Sequence, residues 1–290
     1  MNLPKISIIT PSFNQAHFLE RTLLSVLNQN YPNLEYIIID GGSTDGSVEI
    51  IKKYEDRLAY WVSEKDRGQS HALNKGFARA TGDIIGWLNS DDLYLPGTLA
   101  EVGKWFAAHP EHDLFYGGLY LIDGDDRIQN GVWAGTDDPR YTCRISLDVH
   151  QQSLFWRRDL MTQTGMIDEG LRFSMDLDFI VRLLLQGRAG RTRNYLGMFR
   201  LHEDAKTAKI VELSWRENQI IYDRYRDQLP LPSPESLGKF WLRAQRIAKV
   251  LKEAPLSYFA FKLGRRLGFP APIKWLGGEN LTTGFWAGKN

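Results

Sequence analysis

Short runs of apolar, mostly β-branched residues alternate with amphipathic stretches over the first 116 residues of the chain. This alternation predicts βαβ units and an α/β fold, with a mainly parallel, Rossmann-like sheet flanked by helices. The pattern predicts strands at residues 6–10, 35–40, 58–63 and 84–88, and helices at residues 18–27, 47–54 and 70–80. Polar or small residues follow the first three strands and carboxylates follow the fourth, so the ligand-binding edge of the sheet is expected there.

The pattern becomes less regular after residue 116. A hairpin is predicted at residues 123–126, a Gly/Asp/Pro-rich loop at 131–140, and helices near 157–164 and 176–186. Prolines 230, 232 and 234 then interrupt the chain, because proline removes a backbone donor and disfavours helix. We therefore predict one domain over residues 1–228, divided near residue 116 into a regular half (1–116) and an elaborated half (117–228).

Beyond the prolines, residues 235–290 are predicted to form a basic amphipathic helical extension. Residues 239–253 place apolar side chains on one helical face and Lys and Arg on the other, and aromatic and basic residues continue to Trp275. Such a segment can lie on an anionic membrane surface, here through residues 239–275, or it can pack on its own domain with its charges in solvent. The sequence leaves both possibilities open.

Composition excludes several classes of protein. With 36 basic and 35 acidic residues the net charge is +1, which gives no argument for a nucleic-acid partner. A single cysteine, Cys143, excludes an intrachain disulfide and any multi-cysteine metal site. No apolar run approaches the ~20 residues of a membrane span. No apolar stretch within residues 1–10 is long enough for the h-region of a signal sequence, so we expect a cytoplasmic protein. It would be peripheral on the inner face of the membrane if the extension docks there.

Two adjacent carboxylates, Asp91 and Asp92, follow the apolar run at residues 84–88. Two such charges about 4 Å apart repel by roughly 4 kcal/mol at an effective dielectric constant near 20, and a hard cation would relieve that repulsion. Oxygen ligands without nearby Cys or paired His suit Mg²⁺ or Mn²⁺. The alternative is an ordinary helix N-terminus, where Asp is common.

A third carboxylate, Asp40, ends the second predicted strand and opens a loop with three glycines ahead of a helix. Backbone amides in such a loop can approach a ligand closely, which is typical of nucleotide sites. The segment is not G-x-G-x-x-G, and no G-x-x-x-x-G-K-[ST] occurs in the chain, so a dinucleotide dehydrogenase and a P-loop phosphotransferase are both excluded. A glycine-rich turn with Ser43 or Asp45 as the helix cap remains the structural alternative.

Taken together, four ordered segments resemble glycosyltransferase family 2. They are residues 6–14 (ISIITPSFN), residues 37–47 (IIIDGGSTDGS), the Asp66-Arg67-Gly68 group with Ala72, Asn74 and Gly76, and residues 88–92 (LNSDD). The resemblance covers roughly residues 4–205. It implies the GT-A fold and an inverting enzyme that uses nucleotide-sugars, with residues 1–228 as the catalytic domain. Residues 1–116 would then bind the donor and residues 117–228 the acceptor.

The resemblance also implies roles for individual residues on the donor side. Thr10, Pro11 and Phe13 would form the wall of the nucleobase pocket, and Asp40 would accept the ring N–H of uracil or thymine, hence a UDP- or dTDP-sugar. Arg67, Gly68 and Asn74 would line the same cleft. Asp91 would contact the ribose and is also a candidate metal ligand, and Asp92 would bind the Mn²⁺ or Mg²⁺ that bridges the diphosphate. Asn89 departs from the pattern, since many relatives carry a third carboxylate there.

On the acceptor side, residues 174–179 resemble an E-D-x-D segment with Met175 in place of the Glu. Asp176 is the expected catalytic base, because inversion needs a carboxylate that takes the acceptor proton. Its alternative is a helix N-terminus where Asp complements the dipole. Weaker acceptor-side candidates are Gln151, Gln152 and Asp178. His202, in an R-x-H segment, is expected to be a further metal ligand or to meet the diphosphate, although a lone His is more often structural.

The leading hypothesis is therefore an inverting glycosyltransferase whose acceptor is a glycan or a lipid-linked glycan in surface-polysaccharide biosynthesis. One alternative is a sugar nucleotidyltransferase, which would be expected to carry a Gly-rich Lys/Arg loop after the first strand, where this chain has Pro-Ser-Phe-Asn at residues 11–14. Another is a nucleotide-sugar-binding protein without turnover. The presence of all four carboxylates, Asp40, Asp91, Asp92 and Asp176, argues against that loss.

Overall fold

The computed structural model describes residues 3–134, 149–202 and 211–228. The first part of the chain forms β1 (Ile6–Ser12), α1 (Ala16–Leu27), β2 (Leu34–Asp40), α2 (Ser47–Lys53), β3 (Tyr60–Ser63), α3 (Gln69–Arg79), β4 (Ile84–Trp87), β5 (Leu93–Tyr94) and α4 (Thr98–Ala108). The second part forms β6 (Leu114–Ile122), β7 (Ile128–Val132), β8 (Leu154–Arg157), α5 (Arg158–Thr164), α6 (Met175–Gln186), β9 (Ala189–Arg200) and α7 (Val211–Tyr225). Short 3₁₀ turns occur at Glu55–Arg57 and Gln151–Ser153.

Strands from both predicted halves join one nine-stranded sheet, in the order β3-β2-β1-β4-β8-β6-β9-β5, with β7 paired to β6. Strands β1 to β4, all from the first half, are parallel to one another. Strand β8 is antiparallel to both of its neighbours, and β9 is parallel to β6 but antiparallel to β5. The α/β class is thus confirmed, and the predicted parallel pairing holds for β1 to β4 in a sheet that is mixed as a whole.

The strands and helices predicted within residues 1–186 are all present, with shifted ends. Strand β1 continues two residues beyond the predicted end, and β3 begins at Tyr60, two residues later than predicted. The predicted hairpin is the β6–β7 turn, whose Asp126 adopts a positive φ of 66°. Strand β7 extends to Val132 into the predicted loop at 131–140, and residues 135–140 lie outside the described residues. The pattern missed β5, α4, β9 and α7.

The core lies on both faces of the sheet, because β1 alternates between them. Ile9 faces a cluster built with α3 and α6, whereas Ile6 and Ile8 face one built with α1 and α4. Helix α3 approaches β1 so closely that a Cβ on Gly76 would lie 2.4 Å from Ile9 Cγ2, so only glycine fits there. This close packing brings the N-terminus of α3 to the polar edge of the sheet.

Several predictions fall on parts of the chain outside the described residues. These are the extension at 235–290, its membrane-docking stretch at 239–275, and Cys143. The domain boundaries also stay predictions. None of the helices in the described part of the chain is long and apolar enough to cross a bilayer.

Candidate active site

The three parallel strands β1, β2 and β3 end side by side, with Ser12, Asp40 and Ser63 in register. Asp40 is fully buried. Its Oδ2 accepts hydrogen bonds from Ser63 Oγ (2.6 Å) and from the backbone N–H groups of Gly42 (3.1 Å) and Ser43 (2.8 Å), and its Oδ1 accepts one from Ser43 Oγ (2.5 Å). Asp40 therefore shapes the β2–α2 loop, and its Oδ1 retains capacity for one more donor.

Of the three residues expected to form the wall of the nucleobase pocket, only Phe13 has an exposed side chain. The Phe13 ring is 58% exposed at the end of β1, beside Asn14, which turns the chain with a φ of 51°. Pro11 is buried within the strand. Thr10 is also fully buried, and its Oγ1 lies 3.1 Å from Tyr36 Oη on the core side of the sheet. The Thr10 side chain is therefore directed away from the cleft, in contrast to the expectation, because it lies on the α1 face of the strand.

Ser12 is a residue that the sequence analysis did not single out. It is 3% exposed, stands in register with Asp40, and its hydroxyl has no hydrogen-bond partner among the described residues. A buried hydroxyl without a partner is costly unless a ligand supplies one. The only sequence signal was its position inside the segment at residues 6–14, where a serine between Pro and Phe is typical of an ordinary turn.

Three residues in or just before α3 are expected to line the cleft. Arg67 and Gly68 are exposed, whereas Asn74 binds another part of the chain. Arg67 is exposed and its Nη2 lies 2.7 Å from Glu169 Oε2, while Gly68 adopts a φ of 118° with open space where a side chain would be. The Asn74 amide instead exchanges hydrogen bonds with the backbone of Ile167 (3.0 and 2.9 Å). Asn74 thus fastens α3 to the loop before α6 and does not line the nucleotide cleft.

Asp91 and His202 meet beyond the end of β4. His202 Nε2 lies 3.1 Å from Asp91 Oδ2, and the imidazole packs on Phe18 with a centroid distance of 4.6 Å. Arg200 holds the backbone of Asp91 in place, because its buried guanidinium donates a hydrogen bond from Nε to the Asp91 carbonyl oxygen at 2.7 Å. Both Asp91 and His202 keep part of their side chains accessible.

Asp92 has the opposite environment, since it is fully buried. Its Oδ1 accepts the backbone N–H of Arg200 at 3.0 Å, and its Oδ2 faces amide nitrogens of Gln152 (3.0 Å), Asn89 (3.2 Å) and Gln151 (3.4 Å). Burial, followed by the charge of Asp91, raises the pKa of the Asp92 carboxyl well above its usual range.

This geometry corrects two expectations. Asp92 does not fit the role of metal ligand, because hydrogen-bond donors already surround its buried oxygens. Asp91, expected both at the ribose and as a metal ligand, is the carboxylate that faces a second metal-binding side chain. Gln151 and Gln152 are buried against Asp92 and do not line an open acceptor pocket.

Asn89, where the chain departs from the family pattern, completes the environment of Asp92. Its Oδ1 accepts hydrogen bonds from Trp87 Nε1 (2.7 Å) and Gln69 Nε2 (2.8 Å), and its Nδ2 points at Asp92. A carboxylate at this position could not donate to Asp92 and would add a second negative charge beside it. The amide therefore suits a buried Asp92.

Within residues 3–134, 149–202 and 211–228, no group of three His, Cys, Asp or Glu side chains is placed to hold a metal ion. Asp91 and His202 nevertheless offer one carboxylate and one imidazole at hydrogen-bonding distance from each other. This donor pair suits Mn²⁺, and Mg²⁺ through the carboxylate, when phosphate oxygens and water complete the coordination shell. The pair fits a metal that binds together with a diphosphate.

Asp176 lies in the first turn of α6, where its Oδ1 accepts the backbone N–H of Leu177 at 2.8 Å and its side chain is half-buried. The preceding residue, Met175, places its sulfur 2.7 Å from Ser70 Oγ at the start of α3. Since Ser70 follows Gln69, which bonds to Asn89, this contact brings the N-terminus of α6 to the loops of the first half.

Asp178, two residues further along α6, is fully buried. Its carboxylate pairs with Arg182 Nε (2.9 Å) and Arg224 Nη1 (2.7 Å), and it also accepts the Tyr225 hydroxyl (2.9 Å). These contacts join α6 to α7. Asp178 is thus a structural anchor and does not belong to the acceptor side, contrary to the sequence-based expectation.

Solved structures show the class of fold to which this sheet belongs. The chain is similar to Staphylococcus aureus TarS residues 1–349 in complex with UDP-GlcNAc, with a TM-score of 0.62 and 16% identity over 93% of this chain and 77% of that one. It is also similar to the mannosyltransferase PcManGT from Pyrobaculum calidifontis in complex with GDP-Man and Mn²⁺, with a TM-score of 0.58 and 18% identity over 95% and 83% of the two chains. The fold is that of GT-A glycosyltransferases, as expected.

Sequence comparison establishes the family. The family model for glycosyl transferase family 2 matches residues 7–160. A protein of Mycobacterium bovis, the PGL/p-HBAD biosynthesis glycosyltransferase, is 32% identical over 270 residues, which cover 92% of this chain and all of that protein. The chain belongs to glycosyltransferase family 2, and the prediction of a glycosyltransferase is confirmed.

Proposed function

We propose that this protein transfers a sugar from a UDP- or dTDP-sugar to an acceptor hydroxyl with inversion at the anomeric carbon, with Asp176 as the general base. The contact between Met175 and Ser70 carries the proposal, because it holds the first turn of α6 beside the donor-side loops. The UDP-GlcNAc complex of TarS supports a uridine nucleotide as donor, and the GDP-Man complex of PcManGT supports a nucleotide-sugar donor in general.

The donor side supplies three groups for the nucleotide. Phe13 offers an exposed ring on which a base can stack, and Asp40 Oδ1 has capacity to accept a ring N–H. Ser12 Oγ, in register with Asp40, can donate to the neighbouring carbonyl of the same base. An acceptor beside a donor matches the imide edge of uracil or thymine, which supports a UDP- or dTDP-sugar.

Asp91 and His202 would hold the Mn²⁺ or Mg²⁺. When bound, the metal stabilises negative charge on the departing diphosphate. Asp176 takes the proton of the acceptor hydroxyl while that oxygen forms its bond to the anomeric carbon, and the bond from that carbon to the diphosphate oxygen breaks on the opposite face. The proton thus ends on the Asp176 carboxyl and the electron pair on the nucleoside diphosphate.

The acceptor is proposed to be a glycan or a lipid-linked glycan used in surface-polysaccharide assembly. Support comes from the M. bovis relative, whose name places it in PGL/p-HBAD biosynthesis, and from the basic and aromatic composition of residues 239–275. Docking of those residues on the cytoplasmic face of a membrane belongs to the same proposal, because it would bring the active site to a lipid-linked substrate.

The test first identifies a donor and then removes the base. A panel of UDP-, dTDP- and GDP-sugars with Mn²⁺ is screened by thermal shift, since a ligand at about 100 times its dissociation constant adds roughly 2.7 kcal/mol of stability. Asp176→Asn should bind the selected donor normally and release nucleoside diphosphate about 10²- to 10⁴-fold more slowly. The matched control is Asp159→Asn, which changes an exposed carboxylate in the first turn of α5.

Undiminished turnover by Asp176→Asn would remove this residue from the mechanism. Pyrophosphate release from a nucleoside triphosphate and a sugar phosphate would favour the nucleotidyltransferase alternative instead. A wild-type protein that binds nucleotide-sugars but neither transfers nor hydrolyses them would be the non-catalytic binding protein.

A further inference from the structure

Glu217, on α7, is a buried carboxylate bound to the loop that leads into α6. It is 4% exposed and accepts three consecutive backbone N–H groups, those of Arg172 (2.8 Å), Phe173 (2.7 Å) and Ser174 (2.7 Å). Successive amides that converge in this way form an anion-binding concavity. In this chain the anion is supplied by a side chain from a different helix.

The same region of α7 holds the start of α6 through a second contact. Asn218 Oδ1 accepts the hydroxyl of Ser174, the residue directly before α6, at 2.7 Å. From the other side, Ser70 on α3 contacts Met175. The two residues immediately before Asp176 are therefore fixed by two different helices, and the direction of the first turn of α6 depends on both.

We propose that Glu217 is a positioning residue for the catalytic base: by binding the amides of residues 172–174 it sets where the Asp176 carboxylate lies relative to the donor. This inference rests on the proposed function. Removing Glu217 would leave three loop amides without their partner. The loop would then shift to find other acceptors, and a displacement of about 1 Å can lower a rate ~10²-fold.

The rest of the α6–α7 contact explains why the effect is expected to be local. Asp178 pairs with Arg224 and Tyr225, about two turns beyond Glu217 on α7, and Ile221 and Tyr225 pack in the core. These contacts remain when Glu217 is changed. Helix α7 should stay on α6, while only the first turn of α6 and the loop before it move.

The experiment uses the full chain and measures release of nucleoside diphosphate, with Mn²⁺, from whichever of the UDP-, dTDP- and GDP-sugars in the panel the wild type hydrolyses. Glu217→Ala is expected to lower kcat ~10²-fold and to leave KM nearly unchanged. Added acetate or formate should restore part of kcat, because a small carboxylate can occupy the empty concavity. Glu217→Gln should be intermediate, since one oxygen can still accept the N–H groups of Phe173 and Ser174.

Asp223→Ala is the matched control, because it removes an exposed carboxylate of the same helix, which accepts a hydrogen bond from Gln219 Nε2 at 3.1 Å. It should match the wild type in kcat and should not respond to acetate. In the double variant Asp176→Asn/Glu217→Ala, acetate filling the concavity should restore nothing, because the carboxylate to be positioned is absent.

Wild-type kcat in Glu217→Ala, or a loss confined to KM, would overturn the inference. If Glu217→Ala does not fold, Glu217→Gln decides: wild-type kcat in that variant would also refute a positioning role. Asp176→Asn, measured in parallel, separates the two proposals. Full turnover by Asp176→Asn refutes the base itself, whereas an inactive Asp176→Asn beside a fully active Glu217→Ala refutes only the role of Glu217.

Discussion

His202 Nε2 lies 3.1 Å from Asp91 Oδ2, although 111 residues separate the two in the chain. Asp91 follows β4, within the parallel part of the sheet, and His202 follows β9, at the end of the mixed part. Arg200 links the two, because it ends β9 and its guanidinium holds the Asp91 carbonyl. The two halves of the sheet thus share one pair of side chains suited to a metal bound with a diphosphate.

Removing either member of this pair is expected to weaken the metal-dependent part of nucleotide binding. In Asp91→Asn and in His202→Ala, the affinity for UDP in the presence of Mn²⁺ should fall at least about 10- to 100-fold, because loss of an outer-shell partner of a metal ligand already has an effect of that size. Affinity without Mn²⁺ should change little. Calorimetric titration with UDP, with and without the metal, measures both quantities.

The control for His202→Ala is His109→Ala, since His109 lies at the C-terminal end of α4, where its ring stacks on Trp105. It should bind UDP and Mn²⁺ as the wild type does. If Asp91→Asn and His202→Ala both retain the full effect of Mn²⁺, the assignment of this pair is wrong.

Asp92 should behave differently from its neighbour. Asp92→Asn keeps the shape of the side chain but turns an NH₂ group toward the backbone N–H of Arg200 or the amides of Asn89 and Gln152. Two donors then face each other in a buried site, which costs about 1–3 kcal/mol of unfolding free energy. Urea denaturation should show that loss, while the folded variant should keep its response to Mn²⁺.

The opposite pattern would restore the expectation from sequence. An Asp92→Asn protein of wild-type stability that no longer responds to Mn²⁺ would identify Asp92, and not Asp91, as the metal ligand.

The sequence pattern correctly predicted the strand that leads to this site and the point at which that strand ends. The apolar run at residues 84–88 located β4, and the polar residues after it located the edge at which the site lies. Which of two adjacent carboxylates faces the cleft could not be predicted, because the answer depends on donors distant in the chain. The backbone N–H of Arg200, 108 residues away, and the amide of Gln152, 60 residues away, are what hold Asp92 inside.

The same limit explains the other differences. Asn74 and Asp178 matched family positions, but partners on the loop before α6 and on α7 use their polar atoms. Glu217 left no signal at all, since a glutamate in an amphipathic helix is common and its three amide partners lie more than 40 residues away. Local pattern specifies elements and their ends, whereas the role of a buried polar side chain is decided by long-range contacts.

Phe13 is expected to contribute to nucleotide affinity through its exposed ring. Stacking of a base on an aromatic side chain is worth about 1–3 kcal/mol, so Phe13→Ala should weaken UDP binding by roughly 10-fold. Its stability should change little, because the ring is 58% exposed. Ile220→Ala, at a 49% exposed position on α7, is the control and should bind UDP normally. Equal affinities of both variants and the wild type would exclude Phe13 from the nucleotide site.

Glu35 should make the stability of the fold depend on pH at acidic values. This buried carboxylate on β2 accepts hydrogen bonds from Lys5 Nζ (2.6 Å), Ser7 Oγ (2.5 Å) and both the hydroxyl (2.6 Å) and the backbone N–H (2.7 Å) of Thr81. Burial alone would raise its pKa, but these bonds outweigh burial and lower the pKa of Glu35 to about 2. The bonds therefore stabilise the ionised form in the folded state.

In the unfolded chain the pKa of a Glu side chain is about 4.3, so the unfolded state binds more protons than the folded state between that value and about 2. The contribution of Glu35 is fully present above about pH 5 and is lost progressively as the pH falls toward 2. Urea denaturation at pH 7 should show Glu35→Gln to be about 2 kcal/mol less stable than the wild type. This figure is smaller than the pKa shift alone would give, because solvent screens the charge of the half-exposed Lys5. At pH 3 the difference should be smaller, and Glu49→Gln, at an exposed position on α2, should match the wild type at both pH values. A stability difference between Glu35→Gln and the wild type that does not change with pH would show that the Glu35 carboxylate is not held in its ionised form.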